Sequence, residues 1–271
     1  MSRSIKSVEL PTGVTLNYAE QGSSEGIPVI LLHGLSDSWR SFELILPKLP
    51  ESLHALVLTQ RGHGDSSRPE SGYWFKDYSD DVAAFLNMQK IDKAVVVGHS
   101  LGASNALKFA IDHADRLSGL VLISAFASLP ESEAPHALWE AVSDMSDPVD
   151  PGFIRDFQES TLGRPISEAF FQTILSESKK LPARVWRAAV KCNLEDEDLL
   201  QEAHKVQAPN LLVRGRKDEL VSQKDAEALK GKILNARLLV HEDVGHGVHW
   251  EDPSRLAAEL KSFLETEVGG F

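Results

Sequence analysis

The feature that most constrains the fold is the segment 94–102, where the apolar run Ala-Val-Val-Val leads directly into Gly-His-Ser-Leu-Gly. A continuous apolar run of this kind is typical of a strand that is buried on both faces of a sheet. Glycines two positions before and after Ser100 indicate that the strand turns sharply into a helix, with a strained backbone at the serine. The sequence therefore predicts a strand, a tight turn and a helix, with the Ser100 hydroxyl exposed at the carboxyl edge of a sheet.

Short apolar runs alternate with longer amphipathic stretches along most of the chain, which predicts an α/β fold with a mainly parallel sheet covered by helices. The alternating pattern after the turn at 11–13 predicts an antiparallel hairpin at one sheet edge. Continuous apolar runs predict six further strands at 28–32, 55–58, 94–97, 120–123, 211–213 and 237–240. Amphipathic stretches predict helices at 39–49, 75–89, 101–113, 224–230 and 253–265. The expected sheet thus has about eight strands.

This alternation stops between about residues 129 and 207. Aromatic and aliphatic residues recur there at helical spacing, with no strand-like run between them. Pro130 and Pro209 mark the two ends of this region. The sequence predicts four or five short helices inserted after the sixth strand, so that residues 1–128 and 208–271 form an α/β core and residues 129–207 form a helical cap.

Composition narrows the classes of partner and the cellular location. The 271 residues carry 40 acidic and 28 basic side chains, a formal net charge of −12 at pH 7. This charge argues against nucleic acid and anionic membranes as partners, because both attract basic surfaces. The single cysteine, Cys192, cannot form an internal disulfide. With no apolar segment near the start and no apolar run long enough to span a bilayer, we expect a cytoplasmic protein; the sequence leaves its oligomeric state open.

A serine hydroxyl is a poor nucleophile at neutral pH, so a catalytic role for Ser100 requires a general base and a carboxylate that orients it. His246 follows the last predicted strand, where a loop could bring its imidazole over the turn. Asp218 follows the preceding strand and could accept the other ring N–H of that histidine. The chain order Ser, Asp, His is that of the nucleophile-elbow architecture. We therefore expect Ser100, Asp218 and His246 to form a catalytic triad.

Both partners of the serine have rivals nearby. Glu219 adjoins Asp218 and could be the orienting carboxylate instead. His241 and His249 compete with His246, but His241 lies within a strand pattern and His249 lies beyond the loop. His246 is therefore the expected base.

Two backbone N–H groups are candidates for an oxyanion hole. Gly34 follows the third strand and permits a turn that aims the Leu35 N–H inward, while Leu101 supplies an N–H at the start of the helix after the serine. His33 and His99 lie beside these groups, and we expect both to be packed structural residues rather than catalytic ones.

Taken together, these motifs resemble the α/β-hydrolase fold, in particular its small serine esterase, lactonase and haloperoxidase-like group. The segments that match in order are Leu31-Leu32-His33-Gly34, Arg61-Gly62-His63-Gly64-Asp65-Ser66, Gly98-His99-Ser100-Leu101-Gly102, Gly215-Arg216-Lys217-Asp218, and Gly245-His246 followed by Glu251-Asp252-Pro253. The match spans nearly the whole chain outside the insertion. In the family, the loop at 61–66 is chiefly architectural. Thr59 occupies a position where the family commonly has an aspartate. This difference affects the hydrogen bonding expected within that loop but not the triad.

The resemblance implies a serine hydrolase that cleaves small carboxylic esters or lactones through an acyl-enzyme, without a cofactor or metal. N-acyl homoserine lactones are among the candidate substrates. Aromatic residues are expected to line its acyl pocket, with packing within the cap as the alternative role for most of them: Trp39, Trp139, Phe153, Phe157, Phe170, Phe171 and Trp186. A C–C bond hydrolase or perhydrolase with the same triad is the alternative reaction. A receptor-like protein of this fold, which binds a ligand without turnover, is the non-enzymatic alternative.

Overall fold

An eight-stranded sheet forms the centre of the computed structural model, which describes residues 3–269. The order across the sheet is β1-β2-β4-β3-β5-β6-β7-β8. Strands β1 and β2 form the edge hairpin, β2 pairs antiparallel with β4, and the other pairs are parallel. The strand bounds are Ser4–Glu9 (β1), Thr15–Gly22 (β2), Ile27–Leu32 (β3), Leu53–Leu58 (β4), Ala94–His99 (β5), Leu117–Ile123 (β6), Asn210–Gly215 (β7) and Arg237–His241 (β8). The predicted mostly parallel sheet with an edge hairpin is confirmed.

The central strands separate two apolar cores, one on each face of the sheet. Every residue of β4 and β5 is buried, which explains why their sequences are continuous apolar runs. Side chains alternate across a strand, so Ala94 and Val96 join one core while Val95 and Val97 join the other. The carboxyl ends of β3, β5, β6, β7 and β8 consequently lie along one edge of a sheet that helices cover on both faces.

Helices occupy most of the remaining chain. The bounds within residues 3–269 are Phe75–Met88 (α1), Leu101–Asp112 (α2), Glu133–Val142 (α3), Pro151–Ser160 (α4), Glu168–Ser178 (α5), Ala183–Glu195 (α6), Leu199–Glu202 (α7), Gln223–Lys232 (α8), Val248–Glu251 (α9) and Pro253–Phe263 (α10). Helices α1, α2 and α8 pack on one face of the sheet and α10 on the other. None of the helices in this described part of the chain is long and apolar enough to cross a membrane.

The predicted helix at 39–49 is wrong, and the helix predicted to end at 265 is shorter. Two 3₁₀ turns, Trp39–Phe42 and Leu46–Lys48, occupy the first region. Pro47 has no N–H with which to continue an α-helical ladder, so the backbone closes i to i+3 bonds instead. Helix α10 ends at Phe263 and is followed by a π-helical turn, Leu264–Val268.

The helical insertion lies where the sequence predicts it. Helices α3 to α7 all fall between β6 and β7, and a 3₁₀ turn at Ala203–Lys205 leads back to the sheet. Trp186 of α6 is fully buried, with Phe153 and Phe157 of α4 packed edge-on against it at ring-centroid distances of 5.5 and 5.1 Å. These aromatic contacts hold α4 and α6 together beside the carboxyl edge of the sheet.

Candidate active site

Ser100 lies at the apex of the turn between β5 and α2. Its φ of 53° is in the left-handed region, a strained conformation that persists only where its surroundings enforce it. A Cβ at Gly98 would lie 2.1 Å from the carbonyl oxygen of Gly102, and a Cβ at Gly102 would lie 2.3 Å from that of Leu32. Both positions therefore require glycine, because strand and helix approach too closely for any side chain. The predicted elbow geometry is present.

Asp218 and His246 form a buried hydrogen-bonded pair. The His246 Nδ1 donates to Asp218 Oδ2 over 3.0 Å, because an ionised carboxylate can only accept. Asp218 Oδ1 accepts from the backbone N–H groups of Leu220 at 3.0 Å and Val221 at 2.9 Å. Burial alone would raise the pKa of the Asp218 carboxyl, but His246 and these N–H groups hold it below its ordinary value. The pair thus places the His246 proton on Nδ1 and leaves Nε2 as an acceptor.

The backbone of His246 is fixed from neighbouring strand ends. Its carbonyl oxygen accepts from Ser124 Oγ at 2.9 Å and from His99 Nε2 at 3.1 Å. His99 therefore carries its proton on Nε2, and burial lowers the pKa of its ring to about 3, so it is neutral. His99 is thus a buried structural residue that donates a hydrogen bond to the His246 loop, which we define as residues 242–247.

The rivals identified in the sequence lie elsewhere. Glu219 is exposed, and its neighbour Asp218 makes the bond to the histidine. His241 Nε2 donates to Glu259 Oε2 of α10 at 2.7 Å, and His249 Nε2 contacts Ser41 Oγ at 2.8 Å. Neither histidine pairs with Asp218.

Both candidate oxyanion residues border the same cavity as Ser100 and His246. Leu101 is the first residue of α2, where a helix leaves its N–H groups free of intrahelical partners. Leu35 precedes Ser36, which has a φ of 66°. The Ser36 hydroxyl accepts from Gln158 Nε2 of α4 at 3.0 Å, so an inserted helix holds the backbone next to Leu35.

A cavity of about 450 Å³ adjoins these residues. Its wall is mainly apolar, and much of it comes from α3, α4 and α6 together with the loop after β6. The wall also contains apolar side chains that the sequence did not single out, among them Phe126, Leu129, Pro135, Leu138, Val190, Leu220 and Trp250. Periodicity could have placed Leu138 and Val190 on apolar helix faces, but it could not tell a cavity wall from a packed core.

Of the seven aromatic residues expected to line the acyl pocket, Phe157 lines this cavity. The expectation is wrong for Trp39, Trp139, Phe153 and Trp186, none of which reaches the cavity wall. Trp39 packs into the core on the face of the sheet that α10 covers, with the Arg3 and Arg40 guanidinium groups 4.6 and 4.7 Å from its ring centroid. 

The other three side chains pack against the larger core. Trp186 and Phe153 contact each other, and Trp139 packs against this core, whereas its neighbour Leu138 also lines the cavity. These three residues therefore have the alternative role, packing within the inserted helices. Phe170 and Phe171 likewise pack in two small clusters of their own.

The charged groups at the cavity are all acidic. Glu133 and Glu219 are exposed, whereas Asp37 is buried, and burial holds the pKa of its carboxyl well above the ordinary value. No lysine or arginine lines the cavity among residues 3–269. Within the same range no group of three histidine, cysteine or acidic side chains is arranged to hold a metal ion.

The loop around Arg61 supports the segment that follows β3 and contains Gly34. Arg61 forms a bidentate pair with Asp81, with both N–O distances 2.7 Å, and Gln60 N–H donates to His33 Nε2 at 3.0 Å. At the position where the family often has an aspartate, the Thr59 hydroxyl accepts from the Trp39 N–H at 3.1 Å. This loop is structural and leaves the serine site intact.

A sequence model described as "Alpha/beta hydrolase family" matches residues 29–259. The chain belongs to this family. It is 31% identical over 219 residues to 2-(acetamidomethylene)succinate hydrolase of Mesorhizobium japonicum, covering 77% of each chain. Its structure is similar to that of esterase RhEst1 from Rhodococcus sp. ECU1013, with a TM-score of 0.87 at 24% identity over 97% of this chain and 99% of the esterase. It is also similar to Est816, described as an N-acyl homoserine lactone degrading enzyme, with a TM-score of 0.79 at 27% identity over 95% and 100% of the two chains. Membership identifies the protein as a hydrolase of this fold, with esterase and lactonase relatives.

Proposed function

We propose that this α/β hydrolase cleaves small, uncharged carboxylic esters or lactones through an acyl-enzyme on Ser100. The observation that carries the proposal is the buried Asp218–His246 pair near a serine held at positive φ, with Ser100 and His246 both lining one apolar cavity. The roles of nucleophile, base and orienting carboxylate belong to Ser100, His246 and Asp218 respectively.

The proposed reaction follows from the proton positions. The His246 proton stays on Nδ1, where it is hydrogen-bonded to Asp218, so Nε2 can accept the proton of Ser100 as the serine oxygen bonds to the ester carbonyl carbon. The carbonyl oxygen becomes an oxyanion that the Leu35 and Leu101 N–H groups stabilise. The Nε2 proton then passes to the leaving alkoxide, which departs as an alcohol. Water, deprotonated by the same nitrogen, releases the acid and restores Ser100.

The cavity supports an uncharged acyl group. A substrate carboxylate would meet no cationic side chain there, and burying an unpaired charge costs several kcal/mol. Glu133 and Glu219 would repel it further. This argues against a C–C bond hydrolase acting on a dienoic acid, and it argues against a succinate-type substrate like the one named for the Mesorhizobium relative.

We further propose that residues 129–207 act as a cap on a core made of residues 1–128 and 208–271. The support is that α3, α4 and α6 contribute much of the cavity wall while the sheet edge contributes the reactive groups. In this arrangement the inserted helices select the acyl chain. Small-molecule sites commonly measure roughly 300–1,000 Å³, a range that includes this cavity.

The proposal is tested with a fluorophosphonate probe and a substrate panel. We expect stoichiometric labelling of Ser100, detected by mass spectrometry, and turnover of p-nitrophenyl esters or acyl-homoserine lactones. Ser100→Ala should abolish both, while Ser254→Ala, on the exposed side of α10, should change neither.

Three outcomes would contradict the proposal in different ways. Absence of labelling would refute a serine nucleophile and favour the receptor-like alternative. Labelling with turnover of a dienoic acid alone would refute the ester class and favour C–C bond cleavage. Turnover of esters only in the presence of hydrogen peroxide would favour the perhydrolase.

A further inference from the structure

Glu251, the last residue of α9, has a buried carboxylate that takes no part in the proposed chemistry. Only 6% of the residue is exposed, and the three hydrogen bonds that its carboxylate accepts all come from backbone N–H groups. The backbone carbonyl oxygen of Glu251 accepts separately from the Arg164 guanidinium. Its Oε1 accepts from Gly245 at 2.9 Å, and its Oε2 accepts from Gly163 at 3.1 Å and from Arg164 at 2.8 Å. A buried carboxylate is costly unless it is hydrogen-bonded, so these three bonds account for its presence inside the protein.

The two sides of this carboxylate belong to different parts of the molecule. Gly245 lies in the His246 loop, directly before the catalytic histidine. Gly163 and Arg164 lie in the α4–α5 connection, which we define as residues 161–167, within the inserted helices. Glu251 therefore bridges the loop that carries the proposed base to the cap.

A second set of contacts joins the same two segments without Glu251. The Thr161 carbonyl oxygen accepts from the N–H groups of His246 at 2.9 Å and Gly247 at 3.1 Å. Where the segments cross, a Cβ on Gly163 would lie 2.4 Å from the Gly245 nitrogen, and a Cβ on Gly245 would lie 2.3 Å from the Gly163 nitrogen. The α4–α5 connection is thus in direct backbone contact with the His246 loop at a point where only glycine fits.

We propose that Glu251 is a positioning residue, which holds the His246 imidazole over Ser100 by tying the His246 loop to the α4–α5 connection. This inference rests on the proposed roles of Ser100 and His246. On this view the α4–α5 connection is a fixed part of the active site rather than a piece of a moving lid. The reason is that the α4–α5 connection cannot move away from the core without breaking its hydrogen bonds to the His246 backbone.

The distribution of donors makes Glu251→Gln a selective test. Two N–H groups face Oε2 and one faces Oε1, so the amide oxygen of a glutamine will take the two-donor side. Its NH₂ group then faces the Gly245 N–H, and two donors repel. The substitution consequently keeps the volume and the contact with the cap but loses the contact with the His246 loop.

The measurement uses the full chain and a fluorophosphonate probe, which reports on His246 without knowledge of the natural substrate. The Ser100 oxygen bonds to phosphorus, fluoride leaves, and His246 takes the serine proton. Because a displacement of about 1 Å costs on the order of 100-fold, we expect Glu251→Gln to lower the maximal labelling rate by roughly 10- to 100-fold. The probe's half-saturating concentration should stay within about twofold, since the cavity is unchanged. On any ester that the protein turns over, Glu251→Gln should likewise lower kcat with little change in KM.

Two further variants make the result decisive. Glu259→Gln is the matched control, because Glu259 is also a partly buried, hydrogen-bonded glutamate near the C-terminus but contacts His241 and Arg255 away from the site. Gly163→Ala disturbs the same crossing from the side of the cap and should reproduce the loss of labelling rate. Thermal unfolding and near-UV circular dichroism verify that each variant is folded, and Gly163→Ala decides the question if Glu251→Gln does not fold.

The inference is overturned if the folded variants label Ser100 within twofold of the unaltered rate, or if only probe affinity falls. Either result leaves the proposed function standing when the unaltered protein is labelled. If the unaltered protein is not labelled at all, the proposed function fails, and the positioning role fails with it.

Discussion

Replacing Asp218 by asparagine should reverse the direction of the hydrogen bond to His246. Asp218 Oδ1 accepts two backbone N–H bonds at 2.9 and 3.0 Å, whereas Oδ2 accepts one from the histidine. An asparagine will therefore keep its oxygen on the backbone side and turn its NH₂ group toward His246 Nδ1. The imidazole must then carry its proton on Nε2, where it cannot accept the proton of Ser100.

The size of the effect follows from the loss of the general base. The corresponding substitution in a serine protease triad, which retains the geometry but reverses the tautomer, lowers kcat roughly 10⁴-fold. At about 1.4 kcal/mol per factor of ten, this corresponds to about 5 kcal/mol of transition-state stabilisation. We expect a loss of this order for Asp218→Asn, with KM nearly unchanged because the cavity wall is intact.

The assay is kcat and KM for a p-nitrophenyl ester at pH 7, with Asp92→Asn, an exposed residue before β5, as the matched control. Stability supplies an independent check. Because the folded pKa of Asp218 lies below its unfolded value of 3.8, its stabilising contribution is present above that pH and is lost as the pH falls through the folded pKa. The gap in unfolding free energy between the two proteins should therefore narrow below about pH 4. A kcat within tenfold of the unaltered protein would refute the assignment of Asp218.

Three further predictions concern the scaffold. Trp186→Ala should lower the free energy of unfolding by about 3–5 kcal/mol in urea titrations, since the ring is fully buried between α4 and α6; a loss under 1 kcal/mol would contradict this packing. Asp81→Ala leaves the Arg61 guanidinium buried without its bidentate partner and should cost about 3–5 kcal/mol by the same measurement, against no change for Asp92→Asn. Burial raises the pKa of the Cys192 thiol to about 12, so Ellman's reagent at pH 8 should leave the folded protein unmodified and titrate one thiol per chain in urea; rapid reaction of the folded protein would show that the thiol is accessible.

Much of the fold is encoded locally, and the sequence predicted it for that reason. Apolar runs identified the buried strands because strands inside a parallel sheet need apolar side chains on both faces. Glycines around Ser100 identified the turn because no other residue permits the 2.1 Å and 2.3 Å approaches found there. The predicted helix at 39–49 failed because the apolar spacing does not record that Pro47 removes a backbone donor.

Within the site, the sequence alone determined the chemistry-bearing candidates Ser100, Asp218 and His246, because residue type and position after a strand are local properties. The tertiary structure decided which apolar side chains face empty space. Phe157 and Trp186 both lie on apolar faces of inserted helices, yet one lines the cavity and the other is packed solid. It also decided the place of Glu251, whose three bonds join backbone groups up to 88 residues away. Periodicity reports that a face is apolar, whereas only packing in three dimensions determines what that face meets.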